Sequence, residues 1–164
     1  IATTGNATDF GNLTVGRWNL DALANATRGL FVGGNTSGDT IDYITIATTG
    51  NALDFGNLTV SRQSTEGISS TTRGVMGGGE STNTIDYITI ATTGNALDFG
   101  DLTATRGNSG GSADGTTGIF GGGYNGTDSN STSIDYITIA TTSNATNFGD
   151  MTVGRSQSAG FSGD

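Results

Sequence analysis

The stretch Thr40-Ile41-Asp42-Tyr43-Ile44-Thr45-Ile46-Ala47 decides the fold of this chain. It is rich in β-branched and aromatic residues, a composition that predicts a β-strand. Ile41 and Tyr43 point to one face of that strand, whereas Ile44 and Ile46 point to the other. Because both faces are apolar, we expect the strand to be packed between two layers.

The strand belongs to a repeat. The sequence Ile-Ala-Thr-Thr begins four times, and an Arg follows sixteen residues after each start. A period of about 45 residues is typical of one four-stranded blade in a repeat protein. We predict one repeat domain over residues 1–164, with units 1–45, 46–89 and 90–138 and a partial unit 139–164. The starts are Ile1, Ile46, Ile90 and Ile139, and the arginines are Arg17, Arg62, Arg106 and Arg155.

The rest of one unit predicts three more short strands. Thr48–Asn51 is a turn, because Gly and Asn tolerate positive φ. A second strand is expected over 53–60 around Phe55, a third within 63–70, and a fourth over 75–79 after a turn at 71–74. Since no segment has a helical period, we predict an all-β chain of four-stranded antiparallel sheets with about 3.6 repeats.

Composition excludes several classes of function. The chain has no Cys, His, Pro or Lys, so the ligands of common zinc, haem and thiol sites and the pairs of Ser–His or Cys–His catalysis are missing. The net charge of −9, with Arg as the only cation, disfavours nucleic acid and anionic membranes. No apolar stretch is long enough for a spanning helix. We therefore expect no cofactor, no metal, no nucleic-acid partner and no membrane insertion.

The arrangement of each unit resembles the kelch repeat of β-propellers. Kelch units combine a strand that ends in a double glycine, a strand with a tyrosine, a later aromatic residue and an Arg before the next unit. The resemblance covers essentially the whole chain and implies propeller blades. Its residues are Gly33–Gly34, Gly77–Gly79 and Gly121–Gly123, then Tyr43, Tyr87 and Tyr136, and Phe10, Phe55, Phe99 and Phe148, where kelch repeats usually carry Trp.

The run Ile-Asp-Tyr-Ile-Thr-Ile-Ala-Thr-Thr-Gly-Asn-Ala at 85–96 is similar to repeats in virion structural proteins of marine cyanophages. That likeness implies a tail, fibre or other surface component, found on the virion surface or otherwise outside the cell. Three arrangements fit 3.6 units: a segment of a longer propeller chain, a small ring whose two ends share a blade, or a ring made by several chains. We expect the segment, because both ends cut through a repeat.

Three recurring motifs have structural interpretations. Asp-Phe-Gly, at Asp9, Asp54 and Asp98, predicts a buried Phe beside a turn, with the acid bonded to nearby backbone N–H groups. The glycine runs lack the Lys and helix of a phosphate loop and predict close backbone approach instead. The arginines are expected to pair with repeated acids or with loop carbonyls rather than to form an anion-binding ring. The repeated acids are Asp42, Asp86 and Asp135.

Variation between units concentrates in two connections. The loop after each glycine run has 5, 4 or 9 residues (35–39, 80–83 and 124–132), and without it every unit has the same length. The stretch after each Arg also differs. In an antiparallel sheet both connections lie at the same edge, where recognition loops are expected. The candidate ligand-binding residues are Trp18, Asn19, Asn35, Asp39, Glu80, Asn83, Tyr124, Asn125, Asp128 and Asn130.

Three functions follow from these patterns. The first is a non-enzymatic virion surface scaffold whose loops bind a host cell-surface glycan or receptor, with exposed aromatic side chains stacking on sugars. The second is a structural spacer or assembly element that contacts other virion proteins or further copies of the chain. The third, a glycan-acting enzyme, is disfavoured because no pair of acids stands apart from the repeat. Oxygen ligands at 128–133 lack the spaced acids of a calcium loop.

Overall fold

The computed structural model describes residues 5–80, 82–125 and 130–160. In this part of the chain the regular structure is entirely β, so the predicted all-β class is confirmed. The strands form three four-stranded antiparallel sheets, as predicted for each unit. None of the described residues belongs to a helix that could cross a membrane.

Each sheet is built from four strands that are consecutive in sequence and lie side by side in that order. Every sheet takes its fourth strand from the next predicted unit, so sheets and units are offset. Sheet 1 contains β1 (Asp21–Ala24), β2 (Arg28–Val32), β3 (Thr40–Thr45) and β4 (Leu53–Asn57). Sheet 2 contains β5 (Glu66–Ser69), β6 (Arg73–Gly77), β7 (Thr84–Thr89) and β8 (Leu97–Asp101). Sheet 3 contains β9 (Gly110–Ala113), β10 (Thr117–Gly121), β11 (Ser133–Thr138) and β12 (Thr146–Asp150).

The four predicted strands are all present, with small shifts at their ends. The tyrosine strand β3 ends at Thr45, and the strand predicted within 63–70 is β5 at Glu66–Ser69. The predicted turn at 71–74 is wrong in its second half, because Arg73 and Gly74 already belong to β6. Three residues, 70–72, are enough to connect these antiparallel strands.

A bulge recurs at the aromatic residue of each fourth strand. In sheet 1 Ile41 pairs with Gly56 and Asp42 pairs with Asp54, which leaves Phe55 without a partner in the ladder. Gly56 has a φ of +146°, a value that side-chain-bearing residues rarely adopt. The Phe55 ring meets the Tyr43 ring edge-on, with 5.9 Å between their centroids. The bulge therefore aims the aromatic side chain at its tyrosine neighbour.

Neighbouring sheets pack face to face, and their first strands adjoin: β1 contacts β5, and β5 contacts β9. Two apolar clusters fill the junctions. One combines Leu23, Leu30 and Phe55 with Ile88 and Ile90. The other combines Ile68, Val75 and Phe99 with Ile137 and Ile139.

The predicted burial on both faces of the tyrosine strand holds only where a sheet lies on both sides. Ile90 and Ile139 are 0% and 1% exposed, but Ile46 in the first sheet is 43% exposed. The predicted burial of the recurring phenylalanine is confirmed for Phe55 and Phe99 and is wrong for Phe148, which is 67% exposed. In the described residues no sheet precedes sheet 1 and none follows sheet 3, so the two outer faces have no neighbouring sheet.

Candidate functional site

A buried group of Thr, Arg and Asp closes each junction between sheets. Between sheets 1 and 2, Arg62 lies 3.1 Å from a carboxylate oxygen of Asp86, and the side chains are 3% and 0% exposed. Thr59 donates to the same carboxylate twice, through its N–H at 3.0 Å and its hydroxyl at 2.5 Å. Burial lowers the pKa of the Arg62 guanidinium, and the charge of Asp86 acts in the opposite direction. The predicted pairing of Arg with the repeated acid is confirmed here.

The same group of Thr, Arg and Asp, which we call a clasp, occurs at two more places. Arg106 lies 3.2 Å from Asp135, between sheets 2 and 3, and both side chains are buried. Arg17, in the segment before β1, lies 2.9 Å from Asp42 and is equally buried. Because each guanidinium is engaged by a carboxylate inside the protein, these three arginines are closed to an external anion.

Two other arginines follow the second predicted alternative, bonding to loop carbonyls, and add a contact that was not predicted. Arg28 and Arg73 lie over the rings of Tyr43 and Tyr87, at 4.6 and 4.3 Å from the centroids. Each also donates to a backbone carbonyl of the next sheet, Arg28 to Ile90 at 2.7 Å and Arg73 to Ile139 at 2.8 Å. Stacking on a ring uses the planar guanidinium without burying an ion pair.

The two variable connections lie at one edge of the sheets, as predicted. The N–H groups of the glycine loops donate to the carbonyls of the arginines that follow the fourth strands: Gly34 to Arg62 at 3.1 Å and Gly79 to Arg106 at 2.9 Å. We call this the loop edge. The near-invariant turns lie together at the opposite edge, which we call the turn edge, where the N–H of Ile46 donates to the carbonyl of Thr27 at 2.9 Å.

A backbone ladder that sequence reasoning missed runs along the loop edge. Asn19, Ser64, Asn108 and Gln157 all have left-handed φ values, between 52° and 58°. Ser64, Asn108 and Gln157 each donate their N–H to the carbonyl of the preceding member, at 3.0, 3.0 and 2.8 Å. Every member stands two residues after a repeat Arg, and that spacing was the available signal. The ladder fixes the position of each loop relative to the next.

Among the predicted residues of sheet 1, Trp18 exposes its side chain, whereas Asn19 and Asp39 accept hydrogen bonds through their backbone carbonyls. Trp18 is 58% exposed at the loop edge, and its carbonyl accepts the N–H of Asn35 at 2.9 Å. The Asn19 carbonyl belongs to the ladder, and the Asp39 carbonyl accepts the N–H of Leu58 at 2.7 Å. Trp18 is therefore the side chain in this group that presents a large apolar surface to a ligand.

Glu80 is the predicted residue of sheet 2 that faces solvent. Its carboxylate accepts from Gln63 Nε2 at 2.7 Å and from the hydroxyl of Ser64 at 3.3 Å. It borders a depression of about 260 Å³ that is also lined by residues 60–63 and Thr82. Asn83 has a structural role, because its side-chain amide donates to the carbonyl of Leu102 at 3.3 Å.

The predicted residues of sheet 3 surround the longest loop. Tyr124 is half-buried and exchanges two backbone hydrogen bonds with Gly107, at 2.8 and 2.9 Å. Asn130 pairs with Tyr124 in an isolated bridge, and both Asn125 and Asn130 are exposed. Asp128 lies outside the described residues, and so does the start of the stretch considered for calcium.

The candidate residues therefore form a row across three sheets and not a single pocket. Trp18 belongs to the first sheet, Glu80 to the second and Tyr124 to the third, and the ladder sets their order. No three acidic side chains of the described ranges are close enough together to hold a metal ion. A ligand that touches the whole row has to be extended.

Asp21 and Glu66 each begin the first strand of their sheet, and they were not predicted as a site. Gly110 stands at that position in sheet 3, so the acid does not recur in every unit. Each carboxylate accepts the N–H of the next sheet's first strand, Asp21 from Gly67 and Glu66 from Gly111. Burial first, and then the charge of Asp21, raise the pKa of Glu66 to about 8. Since each carboxylate accepts a backbone N–H, Asp21 connects β1 to β5 and Glu66 connects β5 to β9.

Comparison with known proteins adds no relative to this picture. No protein-family model matches the chain, and no curated protein matches its sequence. The likeness to kelch repeats and cyanophage virion proteins therefore stays a prediction, and the function has to be argued from the loop edge.

Proposed function

We propose that this chain is a non-enzymatic binding module of a virion surface protein, with propeller-like sheets that present the loop edge to a host-surface glycan. One observation carries the proposal. Loop length differs between the three sheets at the loop edge, whereas the buried clasps repeat and the connections at the turn edge keep their length. Such a division is expected where a rigid scaffold carries recognition loops.

The framework supports this role by holding the loops still. The ladder through Asn19, Ser64 and Asn108 ties each loop to the next, and the clasps fix the sheets below it. A preorganised surface loses little conformational freedom when it binds a ligand. The adjoining first strands favour a radial, propeller-like arrangement of the sheets, which is part of the proposal.

The chemistry of the loop edge favours a neutral glycan chain. Trp18 offers an exposed ring for stacking on a sugar, and Glu80 with Gln63 offers acceptors and a donor for hydroxyl groups. The row across three sheets suits several successive sugars. The net charge of −9 disfavours anionic polysaccharides.

Glycan-array binding of the labelled chain tests the proposal. Trp18→Ala and Tyr124→Ala should each weaken binding about tenfold or more, since buried aromatic anchors commonly carry the largest share of binding energy. Leu97→Ala is the matched control, because Leu97 is also 58% exposed but lies at the start of β8, on the turn edge. Binding that survives both loop substitutions, or that is lost with Leu97→Ala, contradicts the proposal.

A second candidate function is a spacer or assembly element of the virion. The open outer face of sheet 3, with Phe148 67% exposed, favours it, because large apolar surfaces usually contact another protein. Imaging of whole particles separates the two functions. A spacer is enclosed by other virion proteins, whereas a receptor-binding module stands at an exposed tip.

A further inference from the structure

The two ends of the stack of sheets leave complementary faces uncovered. On sheet 3, Phe148 is 67% exposed, whereas its counterparts Phe55 and Phe99 are 3% and 2% exposed. On sheet 1, Ile46 is 43% exposed, whereas its counterpart Ile90 is fully buried. Each outer face thus lacks the neighbour that the inner faces have.

The segment before β1 covers part of the sheet 1 face by copying a fourth strand. The carbonyl of Phe10 accepts the N–H of Gly50 at 2.9 Å, and the N–H of Asn12 donates to the side chain of Asn51 at 3.0 Å. Thr14 and Arg17 bind Asp42. Between sheets 1 and 2 the fourth strand β4 makes the corresponding contacts, including Asn57 N–H to the side chain of Asn95 at 3.1 Å.

A single segment does not fill the space that a whole sheet fills. A cavity of about 190 Å³ remains between the segment and sheet 1, lined in part by Phe10, Phe31 and Ile44. In the complete junctions a side chain from the preceding first strand lies at this place: Leu23 against Gly74, and Ile68 against Gly118. The segment supplies no such side chain.

The uncovered strand at the other end has nearly the same sequence as this segment. Residues 9–17 read DFGNLTVGR and residues 147–155 read NFGDMTVGR, so the Phe, Thr and Arg that make the junction contacts are all retained. Thr152 and Arg155 are exposed. Among the described residues, no carboxylate stands beside Arg155 as Asp42 stands beside Arg17.

We propose that two copies of this chain associate head to tail, with residues 147–155 of one copy replacing residues 9–17 on sheet 1 of the second copy. Thr152 and Arg155 then bind Asp42 of the second copy, and Phe148 becomes buried. Residues 156–160 of the first copy, which lie against β9 and donate from the Gln157 N–H to the Asn108 carbonyl, give way to residues 19–24 of the second copy, so that like contacts replace like. The gain comes from the rest of sheet 3, which covers Ile46.

The geometry of this contact makes the assembly grow in one direction. Different surfaces of the two copies meet, so the interface is heterologous and leads to a ring or to a filament. The association extends the junction already present twice within the chain. It does not depend on the proposed glycan binding, because it uses the outer sheet faces and not the loop edge.

Analytical ultracentrifugation of the 164-residue chain tests the proposal. Masses should appear at multiples of 16.4 kDa as concentration rises. Arg155→Ala and Phe148→Glu should each weaken association about tenfold or more, because one removes the cation for a buried carboxylate and the other places a charge in an apolar junction. Leu97→Glu, at an exposed leucine outside the junction, should leave association unchanged.

A third variant distinguishes this strand exchange from simple apolar adhesion. Arg17→Ala leaves Asp42 buried without its cation in the single chain, and only Arg155 of another copy can replace that charge. Arg17→Ala should therefore strengthen association about tenfold or more. A chain that stays monomeric, or whose association ignores Arg17 and Arg155, overturns the proposal.

Disulfide trapping locates the contact, because the chain has no cysteine of its own. By analogy with Asp101 N–H and the Asn144 side chain, which are 3.0 Å apart, Asp150 of one copy should meet Asn51 of the next. The double variant Asn51→Cys with Asp150→Cys should give disulfide-linked multimers. Asp101→Cys with Asn144→Cys is the control and should link within one chain. Absence of multimers with an efficient control contradicts the proposed contact.

Discussion

Asp86→Asn should destabilise the chain strongly, although it only replaces one carboxylate oxygen by an NH2 group. Asp86 is fully buried and its partner Arg62 has a side chain that is 3% exposed. The substitution keeps the size of the side chain and an oxygen for the Thr59 hydroxyl, but it leaves the Arg62 guanidinium buried without a countercharge. Breaking one side of a buried ion pair costs about 3–5 kcal/mol of unfolding free energy.

For a chain of this size, that loss corresponds to a decrease in Tm of about 6–20 °C. Urea unfolding and thermal unfolding, both followed by circular dichroism, measure the two quantities. Asp54→Asn is the matched control, because Asp54 is also an aspartate within a strand, β4, but is exposed. We expect the control to change the free energy by about 0.5 kcal/mol or less.

A double variant sharpens the test. Replacing Arg62 by Met and Asp86 by Leu removes both charges. Arg62 Nε and Nη1 have no hydrogen-bond partner to lose, whereas the two Thr59 donors, on an exposed residue, lose the carboxylate and can turn to water. Such exchanges of a buried pair for apolar residues are often neutral or stabilising. The reasoning is refuted if Asp86→Asn costs less than about 1 kcal/mol, or if the double variant is the less stable of the two.

Three further predictions concern single residues. Because the pKa of Glu66 rises on folding from 4.5 to about 8, the folded chain holds a proton that the unfolded chain loses, and the unfolding free energy should fall as pH rises from about 4.5 to 8. Glu66→Gln should reduce this slope in urea titrations at several pH values, and the raised pKa of Asp21 accounts for what remains. Gly78→Ala should cost about 1–2 kcal/mol or more in urea unfolding, because φ is +69° and a Cβ would meet the carbonyl oxygen of Arg106. Arg73→Ala should cost about 1–2 kcal/mol in thermal unfolding, since it loses the contact with the Tyr87 ring and a hydrogen bond to the next sheet.

Local sequence was sufficient to predict the strands and the clasps. The β-branched run around Tyr43 specifies β3 whatever surrounds it. Each repeat Arg that precedes a sheet reaches the Asp of that sheet, although their separation along the chain changes with the length of the loop between them. The common edge of the two variable connections follows from antiparallel pairing alone. These features depend on chain geometry that repeats, so one unit predicts the next.

Features that depend on neighbours through space were missed. Arg28 lies over Tyr43, although nothing in their separation along the chain distinguishes that contact from pairing with an acid. Phe148 and Phe55 occupy equivalent positions, but one is exposed and the other buried, because only Phe55 has a sheet beyond it. Left-handed φ at Asn19 was overlooked because glycine is the usual residue there.

The common edge of the candidate residues was predicted, but their arrangement along it was not. Trp18, Glu80 and Tyr124 lie on the loop edge as expected, whereas the sequence could not say that they stand in a row on three different sheets. That order follows from how the sheets stack.

An NMR titration of the assigned chain with a glycan selected on the array tests the central claim most directly. Binding should shift the backbone amides of the loop edge on all three sheets, including Trp18, Gln63, Glu80 and Tyr124. The amides of the turn edge, such as Asn25, should stay unchanged. Shifts that concentrate on the turn edge, or that are confined to the outer sheet faces, would contradict the account.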